Sequence, residues 1–480
     1  LGGLVLLVLT LSFVDTSFRL PPAAAAAAKW QLVPAVLAGN LLTVGAVLLS
    51  VLLFGRIYCS VICPLGLTQD VISSIGPKRR FRYYPAKNKI RLAVLILFGL
   101  AFAAGWPLVF GLLEPYSAFG RIASSLAGPL WALGSNFLAW LSERAGNFLV
   151  SPSQIWLRGL TPMLAAAVTL AVLIWWSRKS GRYFCGTLCP VGTVLGFLSR
   201  KSFFRPRIIR EKCLSCGRCE RVCKAGCLFP KEGILDSTRC VSCFCCREVC
   251  PAGAIAWTPL PPGPGLELDQ SLASKTRRAF LGTALGLMSY PLLAQQVMTD
   301  RPARELTRKT PPRGRTVPVI APGAGSLAAY EQKCTGCQLC LSACPNSVLK
   351  TRDSGRGLLQ PAMTFERGFC RITCTVCSEV CPSGAIRPIS PAVKSSIQIG
   401  LARIDSQRCI IQTDEVGCTA CFRNCPSGAI SLIEAKDGSK HPRPAVDQSR
   451  CLGCGACEYH CPVRPEAAVW VEGHLTHAAI

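Results

Sequence analysis

Histidine is almost missing from this chain: there are four in 480 residues, and all of them lie beyond residue 440. A pair of axial histidines within an apolar helix is therefore excluded, and with it a bis-histidine haem b. No C-x-x-C-H run occurs, so covalently attached c-type haem is excluded as well. Charge is also scarce, at 16% of residues, and acids are half as numerous as bases, 26 against 53. At 50% hydrophobic residues the chain is too apolar for a purely soluble protein, and it is long enough for several domains.

Cysteine is abundant, with 30 residues. Most fall into six runs that close on Cys-Pro or a near variant, the clearest being Cys334, Cys337, Cys340, Cys344 and Pro345. In the ferredoxin run C-x2-C-x2-C-x3-C-P three thiolates hold one [4Fe–4S] cube and the fourth reaches the cube of a partner run, so runs should come in pairs. The first pair is Cys213, Cys216, Cys219, Cys223 with Cys240, Cys243, Cys246, Cys250. The crossed rule assigns Cys213, Cys216, Cys219 and Cys250 to one cube, and Cys240, Cys243, Cys246 and Cys223 to the other; Cys227 and Cys245 are left over. A second pair joins the Cys334 run to Cys370, Cys374, Cys377 and Cys381, whose first gap is one residue longer than the standard spacing. The third pair is Cys409, Cys418, Cys421, Cys425 with Cys451, Cys454, Cys457, Cys461. Its long first gap should bulge the loop without removing a ligand, which gives an expectation of six [4Fe–4S] clusters. Zinc fits poorly, because it favours separated C-x2-C pairs or mixed histidine ligands. Disulfides fit poorly too, since repeated triplets with cysteines two apart suit a cube better than a staple.

The formal charge of +27 is not a nucleic-acid footprint. A cube ligated by four thiolates carries about −2, so six would offset much of the basic excess. From residue 301 onward there are 22 bases against 14 acids, a surplus that four cubes nearly cancel. Residues 1–300 keep 31 against 12, in short loops between apolar stretches, which is information about membrane topology.

Apolar stretches long enough to span a bilayer run at about 33–54, 91–113 and 160–176, and the chain opens inside another, as though its beginning were truncated. Lys78, Arg79, Arg80, Arg82, Lys87, Lys89 and Arg91 follow the second span; Arg178, Lys179, Arg182, Arg200 and Lys201 follow the fourth. Those sides are expected to face the cytoplasm. The loop near 115–158, with Trp131, Trp140 and Trp156, is expected at the outer interface. Just inside the cytoplasmic face stand two near-copies, Arg56-Ile57-Tyr58-Cys59-Ser60-Val61-Ile62-Cys63-Pro64 and Arg182-Tyr183-Phe184-Cys185-Gly186-Thr187-Leu188-Cys189-Pro190, which suggest an internal duplication. Cys59, Cys63, Cys185 and Cys189 could ligate a further metal centre or form a redox-active thiol set; the bland reading is two helix ends whose cysteines are small core residues.

Four spans, two C-x3-C-P motifs and a two-cluster module resemble the NapH type of membrane quinol dehydrogenase subunit and the related MauN and NosR proteins, over residues 1 to about 260. After the Pro/Gly-rich linker Thr258–Gly265, the segment Ser274-Lys275-Thr276-Arg277-Arg278-Ala279-Phe280-Leu281, apolar to about Met298, resembles a twin-arginine export signal. The alternative is a plain fifth span, and either reading puts the remainder outside. No convincing cleavage site follows, so the segment is expected to stay as an anchor. Beyond 301–325 the chain resembles the NapG and MauM periplasmic ferredoxins. The expected organisation is multidomain: an α-helical membrane bundle at 1–205, an α+β ferredoxin-like cytoplasmic module at 206–260, a linker and anchor at 261–300, and a four-cluster periplasmic domain at 326–480.

The resemblance implies a protein of the bacterial inner membrane that oxidises quinol (menaquinol or a related quinol) from the quinone pool. Electrons would pass singly through the cubes to a periplasmic c-type cytochrome or reductase, within a larger redox complex and without haem or nucleic acid. Ionisable groups at span ends are the proton-acceptor candidates. Glu114, in Glu114-Pro115-Tyr116, leads; Asp15 ends the first span on the same side, and Gln69 and Asp70 lie beside the first C-x3-C-P motif. A competing expectation is a maturation factor that supplies electrons to activate a periplasmic enzyme, and a third is a conduit from a cytoplasmic donor.

Overall fold

The computed structural model describes residues 2–14, 22–75, 81–146, 152, 159–258, 309–312, 314–434 and 441–480. Asp15, Trp156, the basic run Lys78–Arg80 and the twin-arginine-like segment at 274–298 lie outside the described residues.

The N-terminal part is helical. Its main helices are Gly2–Val14, Leu41–Phe54, Asn88–Ala103, Gly128–Arg144 and Leu160–Ser180. Among the described residues, only Leu160–Ser180 is long and apolar enough to cross a membrane. Its 21 residues would rise about 30 Å. The apolar stretches at 33–54 and 91–113 are each built of two helices. In the first, Leu32–Leu37 stops before Gly39 (φ +70°), and Asn40 caps a new start by accepting from the Thr43 N–H at 3.1 Å. In the second, Asn88–Ala103 ends before Gly105 (φ +63°), and Pro107 opens Pro107–Leu113.

The duplication is visible in the backbone. Leu41–Phe54 and Leu160–Ser180 both end at a left-handed glycine, Gly55 (φ +74°) and Gly181 (φ +60°). A short helix follows each, Tyr58–Val61 and Tyr183–Thr187; then Cys63 and Cys189 precede Pro64 and Pro190 in the first turn of Pro64–Ser74 and Pro190–Ser199. Proline suits that first turn because its missing N–H would be unpaired there anyway.

The cysteine-rich parts are α+β, built on short antiparallel ribbons. Arg205–Ile208 pairs with Ile255–Thr258, and Leu228–Phe229 with Ile234–Leu235. Further on, Leu349–Thr351 pairs with Pro361–Met363, Ile430–Ile433 with Arg443–Val446, and the long strand Val469–Ala479 returns onto Ile397–Ile404. This last pairing brackets the runs at 409–461, and the Ser326–Thr476 bridge and the bond from the Cys370 N–H to the Cys454 carbonyl join them to the runs at 334–381 in one C-terminal body.

One apolar core runs from the helices into that body: Leu9, Phe13, Tyr58 and Phe119 belong to the same buried cluster as Tyr330, Leu339, Phe365 and Val471. The junction is close because two glycines allow it. A Cβ at Gly120 would strike the Cys337 carbonyl and the Phe13 ring, and one at Gly111 would meet the Thr335 carbonyl. Gly120→Val should therefore unseat the 334–338 loop, costing about 2 kcal/mol as overpacking does. The check is a lower thermal midpoint together with faster proteolysis around 309–330; an unchanged pattern would mean that the junction is looser than described. The other module sits at the opposite end of Leu160–Ser180: Gly159 faces the Asp353 carboxylate, whereas the Arg182 N–H beyond Gly181 bonds the Lys224 carbonyl at 2.8 Å.

Candidate iron–sulfur centres

In every run the first cysteines sit on a loop and the third on a short helix, such as Arg218–Val222, Leu339–Ala343 or Ala456–His460. The fourth follows the helix end, and in every run except the first, where Lys224 follows Cys223, a proline comes next. Cys213, Cys216, Cys219 and Cys250 line one apolar cavity, with Ile208, Pro230 and Ile255. Cys223, Cys240, Cys243 and Cys246 line a second, shared with Cys227. Cys334, Cys337, Cys340 and Cys381 line a third, and Cys344, Cys370, Cys374 and Cys377 a fourth. Cys409, Cys418, Cys421 and Cys461 line a fifth. Cys425 is the electrostatic neighbour of Cys451 and Cys454, which in turn neighbour Cys457. Each set of four is the crossed combination.

The donor set fits a cube. All 30 cysteines are free thiols, and no group of three or more His, Cys, Asp or Glu among the described residues converges closely enough for a single ion. Burial pushes the Cys377 and Cys454 thiols up to about 12, and Cys421 up to about 11. Thiolates in such surroundings need a strong electrophile, which iron supplies. In the third pair the long first gap holds a helical turn, Ile410–Thr413, that keeps Cys409 and Cys418 on one cavity.

The stretched Cys370–Cys374 gap is held by a residue that the sequence reading did not single out. Lys394 is 6% exposed; its ammonium donates to Cys370 Sγ at 3.2 Å and to the carbonyls of Arg371 and Cys374. Elsewhere backbone N–H groups donate to Cys250 and Cys381, and the Ser383 and Ser427 hydroxyls stand 3.8 and 3.6 Å from Cys381 and Cys425; Lys394 is the charged donor among these described contacts. A cation there favours the more negative, reduced cube. Lys394→Met should lower that cube's midpoint potential by about 60 mV, the equivalent of a tenfold change for one electron. An EPR-monitored titration checks it; an unshifted potential would reduce Lys394 to a loop clamp. Of the surplus cysteines, Cys227 lies 3.6 Å from Cys223 Sγ to Sγ, and Cys245 contacts the Cys243 carbonyl at 3.6 Å.

The two C-terminal pairs touch. The Cys370 N–H bonds the Cys454 carbonyl at 3.0 Å. The cavities therefore follow one another from Cys337, through Cys370 and Cys454, to Cys409.

The Cys337 end faces the helices. Glu114, 1% exposed, caps Pro115–Ile122: its carboxylate accepts from the N–H groups of Tyr116 (3.0 Å) and Ser117. Cys337 and Arg121 are its electrostatic neighbours. Its neighbours, the Tyr116 hydroxyl and Arg121 Nε and Nη2, are buried without hydrogen-bond partners, as are Thr335 Oγ1 and Gln338 Nε2 in the 334–338 loop. Gln338, in a left-handed conformation (φ +65°), accepts from Ser124 and from Ser125 at 3.2 Å. The remaining proton-acceptor candidates sit elsewhere. Asp70 is engaged in a bidentate pair with Arg182 (2.8 and 2.7 Å) and a contact with Lys224 at 3.2 Å, and Gln69 donates to Cys185 Sγ at 3.2 Å. Asp15 lies outside the described residues.

Cys59, Cys63, Cys185 and Cys189 are all at most 5% exposed and lie within electrostatic range of one another. The two near-copies interlock: Arg182 donates to the Cys59 carbonyl at 2.6 Å, and Arg56 to the Cys185 carbonyl at 2.9 Å. Arg56 also donates to the Thr238 carbonyl at 3.0 Å, and Arg91 to the Thr238 hydroxyl at 2.9 Å, which tethers the quartet to the run at Cys240.

Fold and site together define an iron–sulfur protein of ferredoxin type. A 4Fe–4S dicluster domain model matches residues 333–385 and 416–464, and a 4Fe–4S binding domain model matches 36–82 and 160–211. Among curated relatives, the methylamine utilization ferredoxin-type protein MauM of Methylobacillus flagellatus is 32% identical over 179 residues, 35% of this chain and 72% of the relative. The ferredoxin-type protein NapG of Escherichia coli K12 is 31% identical over 165 residues, covering 32% and 71%. NapF of the same strain is 28% identical over 159 residues, covering 32% and 85%. The chain belongs to the MauM family of ferredoxin-type proteins, and 4Fe–4S electron transfer is its function class.

Proposed function

We propose that the chain is a membrane-bound quinol dehydrogenase subunit in which six [4Fe–4S] cubes carry single electrons, four of them toward a periplasmic c-type cytochrome or reductase. The observation that carries this reading is the buried Glu114 carboxylate within electrostatic range of Cys337, with the unpartnered Tyr116 hydroxyl and Arg121 guanidinium nitrogens as its neighbours. Oxidising a quinol releases two electrons and two protons; a carboxylate next to the first electron acceptor takes a proton while the cube takes an electron. The C-terminal cavities then form a file that leads away from the helices, ending at Cys409, Cys418, Cys421 and Cys461.

Membrane attachment rests on the apolar helix Leu160–Ser180 and on the two cysteine-rich parts that cap its opposite ends. With Arg178 and Lys179 in its last turn, the 206–258 end faces the cytoplasm and the C-terminal body the periplasm. The segment at 274–298 supplies the crossing between them.

Steady-state turnover tests the reading. Purified protein given a menaquinol analogue and a soluble c-type cytochrome should reduce many equivalents of cytochrome per chain. Activation of a partner enzyme in stoichiometric amount without turnover would establish the maturation-factor role instead.

A further inference from the structure

We propose that Cys59, Cys63, Cys185 and Cys189 bind a seventh [4Fe–4S] cluster, placed between the 206–258 module and Glu114. The inference does not depend on quinol being the electron source.

Donors stand against three of the four sulfurs. Gln69 Nε2 reaches Cys185 Sγ at 3.2 Å, the Gly192 N–H reaches Cys189 Sγ at 3.3 Å, and Arg56 Nη2 stands 3.8 Å from Cys59 Sγ. None of the four thiols donates to an oxygen in the described hydrogen bonds. Donors aimed at a sulfur favour its deprotonated, metal-ligating form over a neutral core thiol, which is only a weak acceptor. Cys63 and Cys189 also stand at the N-terminal ends of Pro64–Ser74 and Pro190–Ser199, helices of 11 and 10 residues whose dipoles favour negative charge.

Charge points the same way. Arg56 is fully buried and, among the described residues, no acidic side chain pairs with it; its partners are two carbonyls and Cys59. Arg91, also fully buried, bonds only Thr238 among the described hydrogen bonds. Arg182 has Asp70, which it shares with Lys224. Burying cations without anions is costly unless an anion completes the site. Four thiolates holding a [4Fe–4S]2+ cube carry about −2 and would complete it. A single ion does not suit the quartet, because the thiols do not converge on one point. A disulfide would remove the negative charge that the arginines require.

The arrangement is two-fold. Each arginine three residues before a first cysteine bonds the carbonyl of the opposite motif's first cysteine, and Gly66 and Gly192 leave room for it: a Cβ on Gly66 would lie 3.4 Å from Arg182, and one on Gly192 2.6 Å from Arg56. The duplicated motif is thereby a symmetric four-thiolate clamp. Toward the module it is tethered through Thr238; toward Glu114, Tyr58 lies within electrostatic range of both Cys63 and Glu114.

The test is iron and acid-labile sulfide per chain on the anaerobically purified full protein and its Cys63→Ser/Cys189→Ser variant. A loss of about four irons and four sulfides in the variant, with the EPR signals of the remaining clusters unchanged, is expected. Equal iron in both proteins would overturn the proposal and leave a thiol pair or plain packing. Should the variant fail to accumulate, the wild-type count decides: about 28 irons supports seven cubes, and about 24 leaves the quartet empty of iron. These counts are independent of quinol oxidation, so failure there and failure here remain distinguishable.

Discussion

Glu114→Gln should slow quinol-driven reduction of the clusters about a hundredfold, the lower end of what a positioned general base contributes. The two carboxylate oxygens accept separately from the Tyr116 and Ser117 N–H groups, and glutamine keeps one of the two acceptors, so the cap of Pro115–Ile122 is weakened but retained. It cannot take the proton. Dithionite, which needs no proton acceptor, should reduce the variant's clusters to the wild-type extent. A stopped-flow comparison of the two reductants checks this. Equal slowing with both would point to a damaged Cys337 cube, and no slowing with either would remove Glu114 from the reaction.

Asp70→Asn should instead act on stability. Arg182, 1% exposed, donates through Nε and Nη2 to the two Asp70 oxygens. Removing one partner of such a pair leaves a buried charge uncompensated, which costs about 3 kcal/mol. Lys224, 28% exposed, turns outward more easily. The expected result is a clear drop in thermal midpoint and in iron retained, with the quinol rate per intact molecule nearly unchanged. A variant with wild-type stability and a collapsed rate would restore Asp70 as the proton acceptor and move electron entry to the inner side. The two variants thus separate the sequence candidates: Glu114 sits beside a cube-lining cysteine, whereas Asp70 secures the joint between the two C-x3-C-P motifs.

How far each part could be read in advance follows from the range of the interaction that makes it. Cube ligation is local, three thiolates within seven residues in four of the six runs and within thirteen in the longest, plus one from the partner run, so spacing alone pointed to the sets that the fold brings together. The two C-x3-C-P motifs were visible as near-copies, but the crossed bonds of Arg56 and Arg182 were not, because each joins residues more than 120 positions apart. Lys394 escaped for a similar reason: it follows Cys370 by 24 residues, on another short helix, Pro391–Lys394. The helix breaks inside the apolar stretches were hidden for a different reason. Averaged hydropathy passes over Gly39 and Asn40, whereas a left-handed glycine and one capping amide end one helix and start the next. The closeness of the C-terminal body to the helices had no sequence signal apart from Gly111 and Gly120, which read as ordinary small residues until the Thr335 and Cys337 carbonyls lie against them.

The most direct test of the account is anaerobic EPR on the oxidised protein titrated with a menaquinol analogue. The account predicts that signals of reduced [4Fe–4S]+ clusters grow with each addition, beginning with the Cys334, Cys337, Cys340 and Cys381 cube. That first signal should disappear in a Cys340→Ser variant. Full iron content with no cluster reduced by quinol, while dithionite reduces them all, would contradict it.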